Sequence, residues 1–220
     1  MSHRRLPPLQ PEQWLVQRLE NIAQFDPRFE ASWYGPYNAL LSHYFPYQQQ
    51  FLIKPQPKIR DAEEADVSFS SVQAEPSIEL DESLDEDSFA AVDLSMNSMG
   101  FATFTGTGRI YIPDFIVAKA TQFASHDRPL LIAEVKVDEP TDEFDWVTYQ
   151  NQLDEYMDSL SKQMSSDTPL VGLLICGTKV KIFRLEGPGS SITMDRATHS
   201  INSKAVRELL QKISTDNWGY

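Results

Sequence analysis

The sequence predicts an α/β protein, a central mixed β-sheet flanked by helices. Three observations carry this. Hydrophobic periodicity along the chain gives the order helix, strand, acidic insert, strand, strand, helix, strand, strand, helix, which places helices on a sheet. Two apolar runs, Leu170 to Cys176 and Lys179 to Leu185, are separated only by Gly177-Thr178, a turn in which glycine can take positive φ, so they form a hairpin. Between Asp142 and Met164 the residues Trp146, Tyr149, Leu153, Tyr156, Met157, Leu160 and Met164 recur on one face of a long helix.

The other elements follow in order. Leu15, Leu19 and Ile22 share one stripe of a first helix within Pro11 to Phe25. The aromatic-rich stretch Trp33 to Tyr47 carries a short helix around Tyr37 to Tyr44, and Phe51-Leu-Ile-Lys-Pro55 is extended, its proline suited to an edge strand or a strand exit. Residues 61–100 are acidic, Ser-rich and without periodicity, which describes a mostly flexible insert in an otherwise single domain spanning 1–220. Arg109 to Lys119 and Pro129 to Val137 are strands. Thr141, Asp142 and Glu143 suit the start of the long helix, and Ser203 caps a last helix bearing Val206, Leu209, Leu210 and Ile213.

The formal charge of -13 argues at first against a nucleic-acid partner, but it is unevenly placed. No Lys or Arg occurs between Arg60 and Arg109, and twelve of the 32 acidic residues lie there, leaving 20 acids against 19 bases elsewhere. The acidity therefore belongs to one segment. That segment is expected to be a solvated loop; the sharper alternatives are a mimic of nucleic acid or a docking segment for a basic protein partner. No apolar run approaches the roughly 18 residues that span a bilayer, and Met1-Ser-His-Arg-Arg-Leu-Pro-Pro lacks the apolar core of a secretory signal, so no membrane partner and an intracellular location, nuclear or cytoplasmic, are expected. The lone Cys176, inside an apolar strand, reads as a buried small residue.

Strand alternation across Pro129 to Lys136 puts Leu130, Ile132, Glu134 and Lys136 on one face and Leu131, Ala133, Val135 and Val137 on the other. In the preceding strand Asp114 shares a face with Ile112 and Ile116, and antiparallel pairing through a turn at Ser125 to Pro129 would bring Asp114 to Glu134. The result is a carboxylate pair beside an ammonium. Charges in a strand otherwise made of Leu, Ile, Ala and Val cost stability unless they find partners. The bland alternatives are a Pro-Asp turn, a solvated Glu-x-Lys pair, a core tyrosine at Tyr156, and ordinary turn chemistry for His126 and Asp127.

Pro113-Asp114, Glu134-Val135-Lys136 and, on the following helix, Gln152-Leu-Asp-Glu-Tyr156 together resemble the PD-(D/E)XK superfamily, with its restriction-endonuclease-like core and a RecB-type QxxxY helix. The resemblance covers residues 100 to 185 best. It implies a metal-dependent nuclease-like protein hydrolysing phosphodiester bonds in DNA or RNA. It further implies Mg2+ or Mn2+ held by Asp114, Glu134 and the Val135 carbonyl, with Glu20 of the first helix as a further ligand. Lys136 would position the attacking water, and Gln152 and Tyr156 would face the site or the substrate backbone. The alternative is a catalytically inactive nuclease-fold domain serving as a protein-interaction or scaffold module.

Overall fold

The computed structural model describes residues 11, 13–24, 31–60, 110–122, 127–137, 146–164 and 168–218. The chain divides into two compact units, Met1–Ile59 with Ile110–Tyr220 and, separately, Arg60–Arg109; the architecture is that of the first. The acidic insert at 61–100, His126 and the expected helix start at Thr141 to Glu143 lie outside the described residues.

Four described helices accompany a mixed sheet. They are α1 (Gln13–Gln24), α2 (Ala31–Tyr44), α3 (Trp146–Lys162) and α4 (Lys204–Asp216). The strands are β1 (Phe51–Pro55), β2 (Ile59–Arg60), β3 (Ile110–Tyr111), β4 (Phe115–Lys119), β5 (Arg128–Lys136), β6 (Leu170–Cys176), β7 (Lys179–Leu185), β8 (Thr193–Met194) and β9 (His199–Ser200). The main sheet runs β1-β4-β5-β6-β7-β8, with β9 also on β7, while β2 and β3 make a two-stranded ribbon. Among the described strands of the main sheet only β5 and β6 are parallel; α3 makes their crossover, because parallel neighbours cannot be joined by a hairpin. The expected mixed α/β architecture is therefore present.

Each face of the sheet has its own apolar layer. Leu15, Leu19 and Ile22 of α1, five large residues of α2, and Val206 and Leu210 of α4 cover Phe115, Val117, Leu131, Ala133, Val135, Leu173 and Ile175. On the opposite face Leu153, Tyr156, Met157 and Leu160 of α3 cover Ile116, Ile132, Leu174, Cys176 and Phe183. Ser203 caps α4 by accepting from the Val206 N–H, and Gly177, in the β6–β7 turn, takes φ 56°.

Three local departures from the expected elements have physical causes. Helix α2 starts at Ala31 rather than near Tyr37 and runs through Gly35-Pro36, because Trp33, Tyr37, Leu40, Leu41 and Tyr44 all gain burial from it. The expected strand Arg109 to Lys119 is split at Ile112 to Asp114, where Pro113 has no N–H to offer a ladder. In β5 the register jumps, with Val117 opposite Leu131 but Ala118 opposite Pro129, so Leu130 is a bulged extra residue. Leu130 consequently joins Leu131 in the α1–α2–α4 layer rather than sharing a face with Ile132, as simple alternation requires. Beyond the bulge the alternation holds.

Gly172 measures how closely α3 sits on the sheet. A Cβ there would clash with Met157 Sδ and lie 3.1 Å from Phe183 Cβ. Met157 and Phe183 are fully buried, so neither can swing into solvent. Gly172→Ala should destabilise the protein by about 1–3 kcal/mol in urea unfolding, as overpacking does; a neutral result would show that α3 can lift off without cost.

Candidate metal centre

The pairing of β4 with β5 ends at Phe115 opposite Ala133, so the next donor on that edge, the N–H of buried Val135, has no backbone partner from β4. A buried orphan donor is costly, and the Asp114 side chain satisfies it: Oδ2 accepts from Val135 N at 2.7 Å. Asp114 thus continues the ladder with a side-chain carboxylate in place of a backbone carbonyl. Its Oδ1 accepts from the Tyr34 hydroxyl at 2.7 Å, reaching in from α2. A strand residue sends its N–H and C=O to the same side, so the Val135 carbonyl also faces the Asp114 side, whereas the Lys136 carbonyl is taken on the other side by Gly177 N at 3.0 Å.

Glu134 projects to the α3 face. Its Oε2 lies 3.4 Å from the Asp114 N–H and its Oε1 is 2.7 Å from Lys136 Nζ. The residue is 2 % exposed and Asp114 7 %. Burial above all, then the like charge on Asp114, pushes the Glu134 carboxyl up to about 7, against the opposing hydrogen bond and charge of Lys136. The Lys136 ammonium also lies 5.1 Å from the centre of the Tyr149 ring, a cation–π contact from α3.

Gln152 and Tyr156, one turn apart on α3, bond to each other, the amide donating to the phenol oxygen. Tyr156 is buried against Tyr111 and lies within the electrostatic reach of Glu134, Lys136 and Asp114, and burial raises its phenol above the ordinary value. Asp114, Glu134, Val135, Lys136, Gln152 and Tyr156 therefore gather at one locus. Glu20 is exposed on α1. It stands one residue past buried Leu19, turned about 100° from it on the helix.

Helix α2 contributes two residues that sequence reasoning passed over. Tyr34 holds Asp114, and Tyr37, one turn later, donates to the Gly177 carbonyl in the turn whose N–H holds Lys136. Trp33 stacks on Tyr37 at 5.8 Å. Aromatic spacing marks these residues only as core; nothing in the sequence tells a buried phenol that ends on a carboxylate from one that does not. Asp127 behaves as turn chemistry requires, accepting from Thr121 N and pairing with Lys54.

No protein-family model, curated protein or solved structure matches the chain. Among the described residues no helix is long and apolar enough to cross a membrane.

The raised Glu134 pKa gives a pH signature with a definite sign. Below its ordinary value of 4.5 the carboxyl is protonated in folded and unfolded chains alike, and its burial carries no ionisation penalty. Between there and about 7 the unfolded chain releases the proton while the folded one keeps it, so stability falls as pH rises, and above about 7 the penalty is complete. In metal-free buffer Glu134→Gln should gain on wild type as pH rises from about 5 to about 8, by roughly 3 kcal/mol at the upper end. A stability difference that stays flat across that range would mean the buried carboxylate carries no net penalty.

Proposed function

We propose that the protein is a metal-dependent nuclease-like hydrolase of phosphodiester bonds, built on a restriction-endonuclease-like core. The observation that carries this reading is the buried pair Asp114 and Glu134, linked through the backbone of β4 and β5, with an ammonium 2.7 Å from one of its oxygens. Structural ion pairs are seldom built from two acids and one base in a sheet interior, since the surplus carboxylate leaves a like-charge repulsion uncompensated.

The donor set suits a hard divalent cation. Asp114, Glu134 and the Val135 carbonyl offer only oxygen, as Mg2+ or Mn2+ prefers, and each carboxylate oxygen that accepts one protein hydrogen bond keeps a second lone pair. A bound divalent ion supplies charge neutralisation of the phosphate and an acidified water. The chain's own residues do the rest. Val135 N–H and Tyr34 O–H fix both oxygens of Asp114, so its carboxylate is oriented before any ligand arrives. Lys136, steadied by the Tyr149 ring, holds a positive charge beside Glu134 and can donate to an attacking water or a phosphate oxygen. Tyr156 and Gln152 present a phenol and an amide to the same space, suited to hydrogen-bonding a phosphate.

The direct test is cleavage of single- and double-stranded DNA and RNA in Mn2+ or Mg2+. Asp114→Ala and Lys136→Ala should each reduce it by at least about a hundredfold while circular dichroism stays native. Equal trace cleavage by wild type and variants would leave the alternative, a catalytically silent nuclease-fold interaction module.

Tyr34→Phe makes a separate prediction. It removes one hydroxyl from an Asp114 oxygen, so Mn2+ affinity by calorimetry should weaken by about tenfold to a hundredfold with the fold retained. Unchanged affinity would reduce Tyr34 to packing.

A further inference from the structure

Outside the acidic insert the chain carries 20 acidic against 19 basic residues, so a nucleic-acid strand gains little from the overall field of that part of the protein. Affinity then has to come from contacts that are not ionic, and for a nucleotide the large one is the face of the base. The rim of the carboxylate centre carries the groups that such a contact requires.

Two partly exposed tyrosines bracket the centre on the α3 side of the sheet. Tyr149, on the first turn of α3, has Lys136 Nζ 5.1 Å from its ring centre and marks the Lys136 end. Tyr111, on β3 and three residues before Asp114, meets Tyr156 edge to face with ring centres 5.7 Å apart and marks the Asp114 end. The β2–β3 ribbon belongs to this face, because Ile59 and Tyr111 join the apolar layer beneath α3. Tyr149 and Tyr156 are two turns apart on α3, roughly 10 Å along its axis, with Gln152 between them. Ile112, next to Tyr111 in the chain, is 44 % exposed. The rim is thus aromatic and apolar, where a site for phosphate alone would want cations and hydroxyls. Tyrosines that only fill space bury their rings, as Tyr37, Tyr44 and Tyr156 do, whereas Tyr111 and Tyr149 keep part of their surface in solvent beside the polar cluster.

We infer that Tyr149 and Tyr111 are stacking platforms for two bases of an unpaired nucleic-acid strand, one on each side of the phosphate held at the Asp114, Glu134 and Lys136 centre. The inference rests on the nuclease-like reading of that centre and narrows its substrate to strands whose bases are exposed. In a duplex both faces of a base are covered by its neighbours, so neither ring can reach one. In an unpaired strand every base offers a π-face whatever its identity, so the platforms select single-stranded stretches and read no sequence.

The test is binding of short fluorescent oligonucleotides of equal length: a single strand, its blunt duplex, and a strand in which every nucleotide is abasic. Each is measured in EDTA and again with Ca2+ in place of Mg2+ or Mn2+. Wild type should bind the single strand about fivefold or more tightly than either the abasic strand or the duplex. Tyr149→Leu and Tyr111→Leu keep apolar bulk but lose the π-face. Each should weaken single-strand binding by roughly fivefold to a hundredfold, leave the log–log salt slope unchanged, and leave the affinity for the abasic strand as it was. Tyr149→Phe and Tyr111→Phe, which retain the ring, should bind as wild type does.

Equal affinity of wild type for the single strand and the abasic strand overturns the platforms without any variant, and so does a preference for the blunt duplex. A leucine variant that loses the abasic strand as well acts through Lys136 or through the fold, and that result also overturns the stacking role. Wild type that binds no strand in either condition does the same. Stacking behaviour together with no Mn2+-dependent cleavage would retain the platforms and refute the hydrolase, whereas Mn2+-dependent cleavage with equal binding of abasic and normal strands would do the reverse.

Discussion

Everything around the carboxylates follows from one backbone donor. The Val135 N–H sits in the middle of a seven-stranded sheet, fully buried, at the point where the neighbouring strand has run out. That strand's ladder ends at Phe115, and the Asp114 carboxylate takes the vacated position. An aspartate side chain is short enough to stand in for a backbone carbonyl, and its charge strengthens the bond. Once Asp114 is there, alternation along β5 makes Glu134, on the residue beside Val135, its unavoidable neighbour, and Lys136 follows two residues on. A structural repair and a charged cluster are the same feature.

The frame around the cluster is rigid on both faces. Tyr34 and Tyr37 of α2 hold Asp114 and the Gly177 turn, while Tyr149 and Tyr156 of α3 lie over Lys136 and beside Glu134. Phenols suit this task because each buries an apolar ring in its layer and carries a single polar atom to the sheet. Burial raises the Tyr37 phenol well above its ordinary range, so it remains a donor at every physiological pH. Lys119, at the far end of β4, shows the same economy with a cation: buried, it donates to the Gln49 carbonyl and lies over the Phe51 ring.

Much of this was legible in the residues. The β6–β7 hairpin was readable to the residue because two apolar runs bracket a glycine, and α1, α3 and α4 because each carries an apolar stripe at helical spacing. The meeting of Asp114 with Glu134 followed from alternation and antiparallel pairing, both local rules. What escaped depended on tertiary packing. Helix α2 overrides Gly35-Pro36 because five large side chains are buried by it, and β8 and β9 are two residues long, below any period. The roles of Tyr34 and Tyr37 need contacts 80 and 140 residues away in the chain, which no window of sequence reports.

The bulge at Leu130 bears on how the chain avoids folding wrongly. β5 has apolar residues on both faces, so a slip of one residue against β4 would still bury leucines and isoleucines, and hydrophobic matching alone discriminates poorly between registers. The extra residue breaks that degeneracy. A slipped strand would have to move the bulge to a place where both faces want strict alternation, and would carry Glu134 and Lys136 into the apolar layer beneath α1, α2 and α4. The residues that make the centre chemically interesting thus also act as negative selection among competing pairings, penalising the wrong fold more than they strain the right one.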